Sequence, residues 1–264
     1  MAIDSRGFLD RAGILHGGGA AESTSGGLRR GAAVTAPARP AIGLLMLETR
    51  FPRPAGDVGN PNTFDFPLLV ERLPGARVDR VIDARARGLL GPFVAAGRRL
   101  VERGAVAIGT SCGFLVLHQR ALAAALPVPV ATSSLLQLPW VQATLPPGAR
   151  CGVVTFDARA LGAEHLEAAG APADTPVAGL RAGDTLRRAI AGDAARIDLG
   201  RARAEVVAAA QRLVERHPEV GAIVLECTNL PPYRAAIRAA TGRPVFDGNT
   251  LLAWLWSAFA MERR

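Results

Sequence analysis

The sequence contains no lysine, and this absence excludes two large classes of enzyme. All 31 residues counted as Lys or Arg are arginines. A pyridoxal-phosphate enzyme binds its cofactor through a lysine Schiff base, so the chain is not an ordinary member of that class. A phosphate-binding loop that ends in Gly-Lys-Ser or Gly-Lys-Thr is excluded for the same reason. No Gly-x-Gly-x-x-Gly follows a strand-like run, so a dinucleotide fingerprint is missing as well.

Cysteine and histidine are also scarce. The chain has three cysteines and four histidines, and an odd number of cysteines argues against a disulfide framework. None of them has the Cys-x-x-Cys or His-Cys spacing of a zinc site, so we expect no metal. Cys151 begins a strand-like run instead of ending one, and we interpret it as a core residue.

Long apolar runs are missing, although apolar residues make up 49% of the sequence and are sufficient for a packed core. No run approaches the roughly 18 residues of a membrane span, and the N-terminus lacks a secretory signal. We therefore predict a cytoplasmic protein with no membrane partner. The net charge of +8 is spread over helix-like segments without interleaved aromatic residues, so we expect no nucleic-acid partner.

Composition and periodicity divide the chain into an extension and two halves. Residues 1–38 are rich in Gly, Ala, Ser and Arg without hydrophobic periodicity, which predicts a disordered N-terminal extension. Strand-like and helix-like runs then alternate to the C-terminus, which predicts an α/β protein with parallel sheets. We place a first α/β domain at 39–148, completed by the C-terminal residues 243–264, and a second at 149–242.

Two short blocks repeat in the two halves, and each carries a cysteine between an apolar run and a helix-like run. The blocks are GTSCGF at 109–114 and LECTNL at 225–230. Cys112 and Cys227 are 115 residues apart, and so are the following Pro129 and Pro244, which indicates two related α/β halves. A thiol between the carboxyl end of a strand and the start of a helix lies where ligands bind. The helix dipole favours its thiolate there.

The two cysteine blocks, at this separation, resemble those of the aspartate/glutamate racemase superfamily. That superfamily also includes hydantoin and allantoin racemases, maleate isomerases and arylmalonate decarboxylases. The resemblance extends from about Ala41 to the C-terminus. It implies two pseudosymmetric parallel-sheet α/β domains with the active site in the cleft between them. It also implies that one of Cys112 and Cys227 removes the proton from the substrate's α-carbon and the other protonates the opposite face, without a cofactor.

The implied reaction has a clear physical requirement. Inversion of a stereocentre needs a base and an acid on opposite sides of a planar carbanion, and two related halves supply such a pair. We therefore predict an isomerase, a racemase or epimerase that acts at the carbon α to a carboxylate or similar carbonyl. The expected partner is a small-molecule carboxylate or amino-acid-like substrate, such as aspartate, glutamate or a hydantoin. A homodimer is compatible with the sequence.

Candidate substrate-binding residues come from the polar positions beside both cysteines, from a neighbouring strand end and from the loop after the first strand. Backbone N–H groups and hydroxyls at these positions can stabilise the charge that develops on a substrate carboxylate. The loop holds Asn-Pro-Asn-Thr at 60–63, which resembles a motif near the start of hydantoin racemases. The candidates are Thr110, Ser111, Gly113, Phe114, Thr228, Asn229, Glu48, Asn60, Asn62, Thr63, Thr132 and Ser133.

Departures from the family pattern leave other activities open. Gly113 and Phe114 stand where amino-acid racemases often have Asn-Thr, and Asn229 stands where glutamate racemases have His. A maleate-isomerase-like activity fits two cysteines, whereas decarboxylases of the family keep only one. A catalytically inactive small-molecule binding protein is the remaining alternative. Glu226, directly before Cys227, either tunes that thiol or forms an ordinary ion pair.

Overall fold

Two parallel β-sheets, each of four strands, form the framework of the protein. The computed structural model describes residues 39–260. The strands are β1 (Ala41–Leu47), β2 (Leu68–Leu73), β3 (Ala105–Thr110), β4 (Val130–Ala131), β5 (Arg150–Thr155), β6 (Val177–Gly179), β7 (Val220–Leu225) and β8 (Val245–Phe246). The first sheet has the order β2-β1-β3-β4, and the second has the order β6-β5-β7-β8.

The register of the strands shows that the two halves are related by pseudosymmetry. In the first sheet Ile108 of β3 pairs with Val130, and in the second sheet Ile223 of β7 pairs with Val245. The pairing of β1 with β3 and the pairing of β5 with β7 each shift register after the first residue pair. The predicted α/β fold of two pseudosymmetric parallel-sheet halves is therefore confirmed.

Nine α-helices and three 3₁₀ turns connect the strands within residues 39–260. The helices are α1 (Val78–Ile82), α2 (Leu90–Glu102), α3 (Gln119–Ala125), α4 (Leu138–Ala143), α5 (Ala163–Ala168), α6 (Thr185–Ala191), α7 (Leu199–Arg216), α8 (Arg234–Thr241) and α9 (Gly248–Ser257). The 3₁₀ turns are Gly113–His118, Ser134–Gln137 and Pro231–Tyr233. The helix predicted after the first cysteine thus begins as a tight turn, in which the N–H of Leu115 donates to the carbonyl of Cys112.

Helices cover both faces of the first sheet. All seven residues of β1 are buried, which is typical of a parallel strand covered on both sides. Leu45 and Leu47 belong to the core on the side of α2, whereas Ile42 and Leu44 pack on the side of α9. A Cβ atom on Gly109 of β3 would lie 2.6 Å from the Leu252 side chain, so this glycine allows α9 to pack closely.

The C-terminal segment contacts both halves. Strand β8 belongs to the second sheet, and helix α9 packs against β1 and β3 of the first sheet. The boundaries at 39–148, 149–242 and 243–264 stay a prediction, and the predicted disordered extension at 1–38 lies outside the described residues. None of the helices in the described part of the chain is long and apolar enough to cross a membrane. The cytoplasmic location stays a prediction.

Candidate active site

The two cysteines follow the central strands of the two sheets in equivalent positions. Strand β3 ends two residues before Cys112, and β7 ends two residues before Cys227. The intervening residues are held in the same way. The N–H of Ser111 donates to the carbonyl of Leu45 at 3.0 Å, and the N–H of Glu226 donates to the carbonyl of Val154 at 2.9 Å. Both thiols therefore lie at carboxyl ends of parallel strands, where α/β proteins bind ligands.

Buried hydrogen bonds join the two halves at these strand ends. Thr228 Oγ1 donates to the carbonyl of Ser111 at 2.7 Å, and Ser134 Oγ donates to the carbonyl of Leu225 at 2.6 Å. Each bond connects a residue of one half to the backbone beside the cysteine of the other half. The relative position of the two cysteine blocks is therefore fixed by buried polar contacts.

Cys112 and Cys227 line one narrow cavity with a free volume of about 20 Å³, which is enough for about one water molecule. Each cysteine is only 8% exposed. The walls are largely apolar, and the few polar groups are Thr49, Arg53, Ser111, Glu226 and Asn229. Apolar walls with a few placed polar groups are typical of a small-molecule site. The apolar wall residues are Leu47, Phe51, Val78, Ile82, Phe114, Phe156 and Ile190.

Burial raises the pKa of both thiols. The pKa of Cys112 rises to about 12 because of burial and, secondly, the negative charge of Glu226. Backbone N–H groups of Phe114 and Leu115 and the charge of Arg53 act in the opposite direction. The pKa of Cys227 also rises well above its ordinary value through burial and Glu226. The backbone N–H groups after each cysteine favour the thiolate, as expected, but the loss of solvation outweighs them.

A chain of polar contacts leads from Cys227 to an arginine that the sequence analysis missed. The Cys227 thiol donates to Asn229 Oδ1 at 3.5 Å, and Asn229 Nδ2 donates to Asp57 Oδ2 at 2.6 Å. Arg53 donates to Asp57 Oδ1 and to Thr49 Oγ1, both at 2.8 Å. These two bonds use two of the five guanidinium donors, so Arg53 has donors left for a ligand in the cavity.

Glu226 places a second charged group on the cavity. The residue is 1% exposed. Its Oε2 accepts a hydrogen bond from Thr155 Oγ1 at 2.7 Å, and no group within residues 39–260 donates to its Oε1. Burial raises the pKa of this carboxyl from 4.5 to about 7, although the Thr155 hydroxyl and the Phe156 N–H act in the opposite direction. Glu226 is therefore a strongly perturbed acid beside both thiols.

Four of the predicted binding residues line the cavity with the cysteines, namely Ser111, Gly113, Phe114 and Asn229. Four others are buried and do not line the cavity, namely Thr110, Thr132, Ser133 and Thr228. Thr110 Oγ1 donates to the carbonyl of Thr132 at 2.6 Å, and Ser133 Oγ accepts from the N–H of Leu135 at 3.2 Å. These hydroxyls thus form hydrogen bonds with the backbone at the strand ends of the first half. A role for any of the eight in substrate binding stays a prediction.

Two predicted residues of the loop after β1 point away from the cavity. Glu48 is exposed, and its Oε2 accepts a hydrogen bond from the N–H of Gly75 at 2.7 Å. Asn62 is exposed as well, and its N–H donates to Asn60 Oδ1 at 2.8 Å. Both residues stabilise turns in this structure, and neither lines the cavity.

The other two predicted loop residues, Asn60 and Thr63, form hydrogen bonds with the backbone of the ion pair Arg53–Asp57. Asn60 Nδ2 donates to the carbonyl of Arg53 at 2.7 Å, and Thr63 Oγ1 donates to the carbonyl of Asp57 at 2.5 Å. The Asn-Pro-Asn-Thr motif therefore shapes the loop that carries Arg53 and Asp57. A signal was present in the sequence, because these are the charged residues of a long loop at a strand end.

The loop after β1 also contacts the second half at the outer rim of the cavity. Asp193 Oδ1 accepts from the N–H groups of Arg50 and Phe51, and Asp193 Oδ2 accepts from Arg50 Nε at 3.0 Å. The Arg50 side chain is 85% exposed. This rim contact is solvated, unlike the buried bonds at the strand ends.

No group of three or more His, Cys, Asp and Glu residues in the described part of the chain is arranged to hold a metal ion. Cys151 is buried, and its thiol donates to the carbonyl of Leu138 at 3.8 Å. It does not line the cavity of the other two cysteines. Chemistry without a cofactor stays a prediction.

Comparison with curated sequences finds relatives with the name dimethylsulfoniopropionate lyase. A protein of that name from Durusdinium sp. clade D is 27% identical over 218 residues, which cover 78% of this chain and 70% of the relative. Dimethylsulfoniopropionate lyase 5 of Emiliania huxleyi is 28% identical over 84% of this chain. The matched region is 46% of that algal protein, so the chain spans about half of its length.

Solved structures with the same fold include a decarboxylase and a racemase. Arylmalonate decarboxylase matches with a TM-score of 0.57 and 20% identity, covering 85% of this chain and 94% of that protein. The aspartate racemase of Picrophilus torridus matches with a TM-score of 0.55 and 12% identity, covering 85% of this chain and 96% of that protein. Residues 139–256 match the model of the Asp/Glu/Hydantoin racemase family. The chain is therefore similar to the Asp/Glu/Hydantoin racemase family over residues 139–256 and shares its fold with arylmalonate decarboxylase, in agreement with the resemblance that the cysteine blocks indicated.

Proposed function

We propose that the protein uses a cysteine thiolate to remove a proton from the carbon α to a carboxylate. The observation that carries this proposal is the presence of Cys112, Cys227 and Arg53 on one buried cavity. Arg53 can pair with the substrate carboxylate. Negative charge grows on that carboxylate as the α-proton leaves, so the pairing strengthens in the transition state. The thiols on the same walls supply the base.

The charges around the cavity favour a substrate with one carboxylate and no net charge. Within residues 39–260, Arg53 is the one arginine that lines the cavity, and Asp57 already pairs with it. A substrate with a net negative charge, such as aspartate or glutamate, would meet no excess positive charge there. A zwitterion with a single carboxylate matches these groups better.

We infer that deprotonation leads to β-elimination, with dimethylsulfoniopropionate as the substrate. The names of the curated relatives support this choice, and the compound is a zwitterion with one carboxylate. The thiolate takes the α-proton as the double bond forms between the α- and β-carbons. The bond between the β-carbon and sulfur breaks, and its electron pair leaves on sulfur. The products are dimethyl sulfide and acrylate, and the proton stays on the thiol until solvent removes it.

Cys112 is the proposed base. Two backbone N–H groups and the charge of Arg53 stabilise its thiolate against the effect of burial. Cys227 receives stabilisation from the N–H of Asn229 alone, and its thiol donates to Asn229 Oδ1. An elimination needs one base, so the protonated Cys227 is not required as a second one.

Product analysis tests the elimination. The purified full chain is incubated with dimethylsulfoniopropionate; dimethyl sulfide is measured by headspace gas chromatography and acrylate by proton NMR. We expect equimolar products and a loss of about 100-fold or more in Cys112→Ser, because a hydroxyl is a poor base. Cys151→Ser is the matched control and should retain the wild-type rate. Folded wild-type protein that forms neither product would overturn the proposal.

Racemisation is the second candidate, favoured by the equivalent placement of the two thiols on the two halves. Amino acids, hydantoins and allantoin in D2O would then gain deuterium at the α-carbon and lose optical activity. Cys227→Ser separates the two reactions, because inversion needs both thiols whereas elimination needs one. Tight binding of a carboxylate without exchange or elimination would identify a binding protein instead.

A further inference from the structure

Glu226 carries a charge that the fold itself does not require. Ser111 occupies the equivalent position in the first half, and its Oγ accepts a hydrogen bond from the N–H of Leu47 at 3.0 Å. In the second half, the carboxyl of Glu226 accepts a hydrogen bond from Thr155 Oγ1 at 2.7 Å, and the nearby Phe156 N–H lowers the pKa of this carboxyl. A neutral hydroxyl is therefore sufficient as the backbone acceptor at this point of the fold. The carboxylate adds a buried negative charge to the cavity at an energetic cost.

No cation within residues 39–260 forms an ion pair with Glu226. Among the described residues that line the cavity, Arg53 is the one basic side chain, and its ion pair with Asp57 measures 2.8 Å. The remaining titratable groups on the walls are the thiols of Cys112 and Cys227, whose ionisation would add further negative charge. Glu226 Oε1 has no donor within residues 39–260 and lies beside Gly113 on the cavity wall. The cavity thus offers an unpaired, desolvated anion to whatever binds there.

The walls near this anion suit a cation that cannot donate hydrogen bonds. Phe114 and Phe156 line the same cavity, and the Arg187 guanidinium already lies 5.7 Å from the ring centroid of Phe156. Aromatic rings attract sulfonium and quaternary ammonium groups while packing against their methyl substituents. A primary ammonium would leave several N–H donors to be satisfied, and the apolar wall residues supply no acceptor for them. The combination of one buried carboxylate with aromatic rings therefore matches a methylated onium group.

We propose that Glu226 is the counter-ion for an onium group on the substrate. It determines specificity for carboxylates whose β-carbon carries a sulfonium or quaternary ammonium group. In this arrangement the substrate carboxylate pairs with Arg53 and the onium with Glu226. The inference rests on the proposed function for the identity of the reacting substrate. It is tested by binding alone, so the two can fail separately.

Two unreactive carboxylates of nearly the same shape provide the test. The compound 3-(trimethylammonio)propanoate carries the positive charge, and 4,4-dimethylpentanoate has a neutral carbon in place of nitrogen. Their affinities for the full chain are measured by isothermal titration calorimetry at about pH 8, where Glu226 is ionised. We expect wild-type protein to bind the ammonium compound about tenfold more tightly or better.

Two variants remove the charge. Glu226→Gln keeps the shape, and Glu226→Ser copies the residue found at the equivalent position 111. Each should reduce the ratio of the two affinities to within about twofold, mainly by weakening the ammonium compound. Glu167→Gln, at an exposed position of α5, is the control and should keep the wild-type ratio.

The outcomes separate the two proposals. A wild-type protein that binds neither compound, or binds both equally, would overturn the role of Glu226. The same holds if the folded variants keep the wild-type ratio. If the preference for the ammonium compound depends on Glu226 but dimethylsulfoniopropionate is not turned over, the elimination would be refuted. The role of Glu226 as counter-ion would still be supported.

Discussion

Glu226 occupies the space that a side chain at Gly113 would need. A Cβ atom on Gly113 would lie 2.3 Å from the carbonyl oxygen of Glu226 and 2.4 Å from its Oε1. The two residues belong to the two equivalent cysteine blocks. One block can therefore approach the other only because position 113 has no side chain. This approach places Cys112 and Cys227 on a common cavity.

Gly113→Ala should destabilise the protein and disturb the cavity. The new methyl group would meet a backbone oxygen, which cannot move aside as the end of a flexible side chain can. We expect a loss of about 1–3 kcal/mol in the free energy of unfolding, measured by urea denaturation. Gly91→Ala in α2 is the control, since a Cβ there meets nothing within 4 Å; it should be neutral or stabilising by up to about 1 kcal/mol. Equal losses in both variants would contradict the close approach.

The value of kcat/KM should rise with pH in alkaline solution. A thiol acts as a base only when it is deprotonated, and burial raises the pKa of Cys112 to about 12. Below that value the thiolate fraction of the free enzyme grows about tenfold per pH unit. We expect log kcat/KM to increase with a slope near one between about pH 8 and about pH 9.5. A profile that is flat over this range, in protein that remains folded, would show that Cys112 is not the titrating base.

Glu226→Gln should stabilise the protein at neutral and alkaline pH. Burial raises the pKa of Glu226 from 4.5 in an ordinary environment to about 7 in the folded state. The folded state therefore retains a proton that the unfolded chain releases, and the stability linked to this proton is complete below about pH 4.5 and lost as the pH rises through about 7. The loss amounts to roughly 3 kcal/mol.

Urea denaturation of both proteins at several pH values measures this effect. The free energy of unfolding of wild-type protein should fall relative to that of Glu226→Gln between about pH 5 and about pH 8, and the difference should then stay constant. Comparison with the variant cancels the contributions of titrating groups that do not interact with Glu226. A difference that does not change with pH would mean that the carboxyl titrates normally.

Substitutions of Arg53 and Asp57 should be coupled in their effect on the free energy of unfolding. They should not be coupled in their effect on KM. Both side chains are at most 9% exposed, and removal of one partner leaves a buried charge unpaired. We expect Arg53→Met to lower the free energy of unfolding by about 3 kcal/mol. Addition of Asp57→Asn should recover part of that loss, as a double-mutant cycle would measure. The double variant should still have a raised KM, since the group that pairs with the substrate carboxylate is missing; full recovery of KM would exclude Arg53 from carboxylate binding.

The sequence was most informative where structure follows a short-range pattern. The alternation of strand-like and helix-like runs predicted parallel sheets, and the structure has two of them, with all seven residues of β1 buried. The repeat that contains Cys112 and Cys227 predicted two related halves, because equivalent spacing must be preserved when two sheets share one topology.

The sequence could not show which residues of the loop after β1 line the cavity and which lie in turns away from it. Glu48 was chosen for its position after the strand, yet its carboxylate accepts a hydrogen bond from Gly75 in a turn. Arg53 and Asp57, which lie in the same loop, reach the cavity region instead. A loop without periodicity gives no rule for the direction of its side chains, since that direction depends on contacts with distant residues such as Asn229.

The environment of Glu226 could not be predicted from the sequence either, because the other half of the molecule packs against this residue. The sequence offered two readings for this residue, the tuning of Cys227 or an ordinary ion pair. No cation within the described residues pairs with it, and its charge raises the pKa of both thiols. Only the packing of one cysteine block against the other brings these groups together.

The contacts between the two halves differ in strength from one side of the cavity to the other. Thr228 and Ser134 bind the opposite half through buried hydrogen bonds at the strand ends, whose loss would expose unsatisfied groups. At the rim, the contact of Arg50 with Asp193 is solvated, and exposed ion pairs contribute only about 0–1 kcal/mol. The buried bonds at the strand ends should therefore cost more to break than the solvated rim contact, and they preserve the spacing between the two thiols.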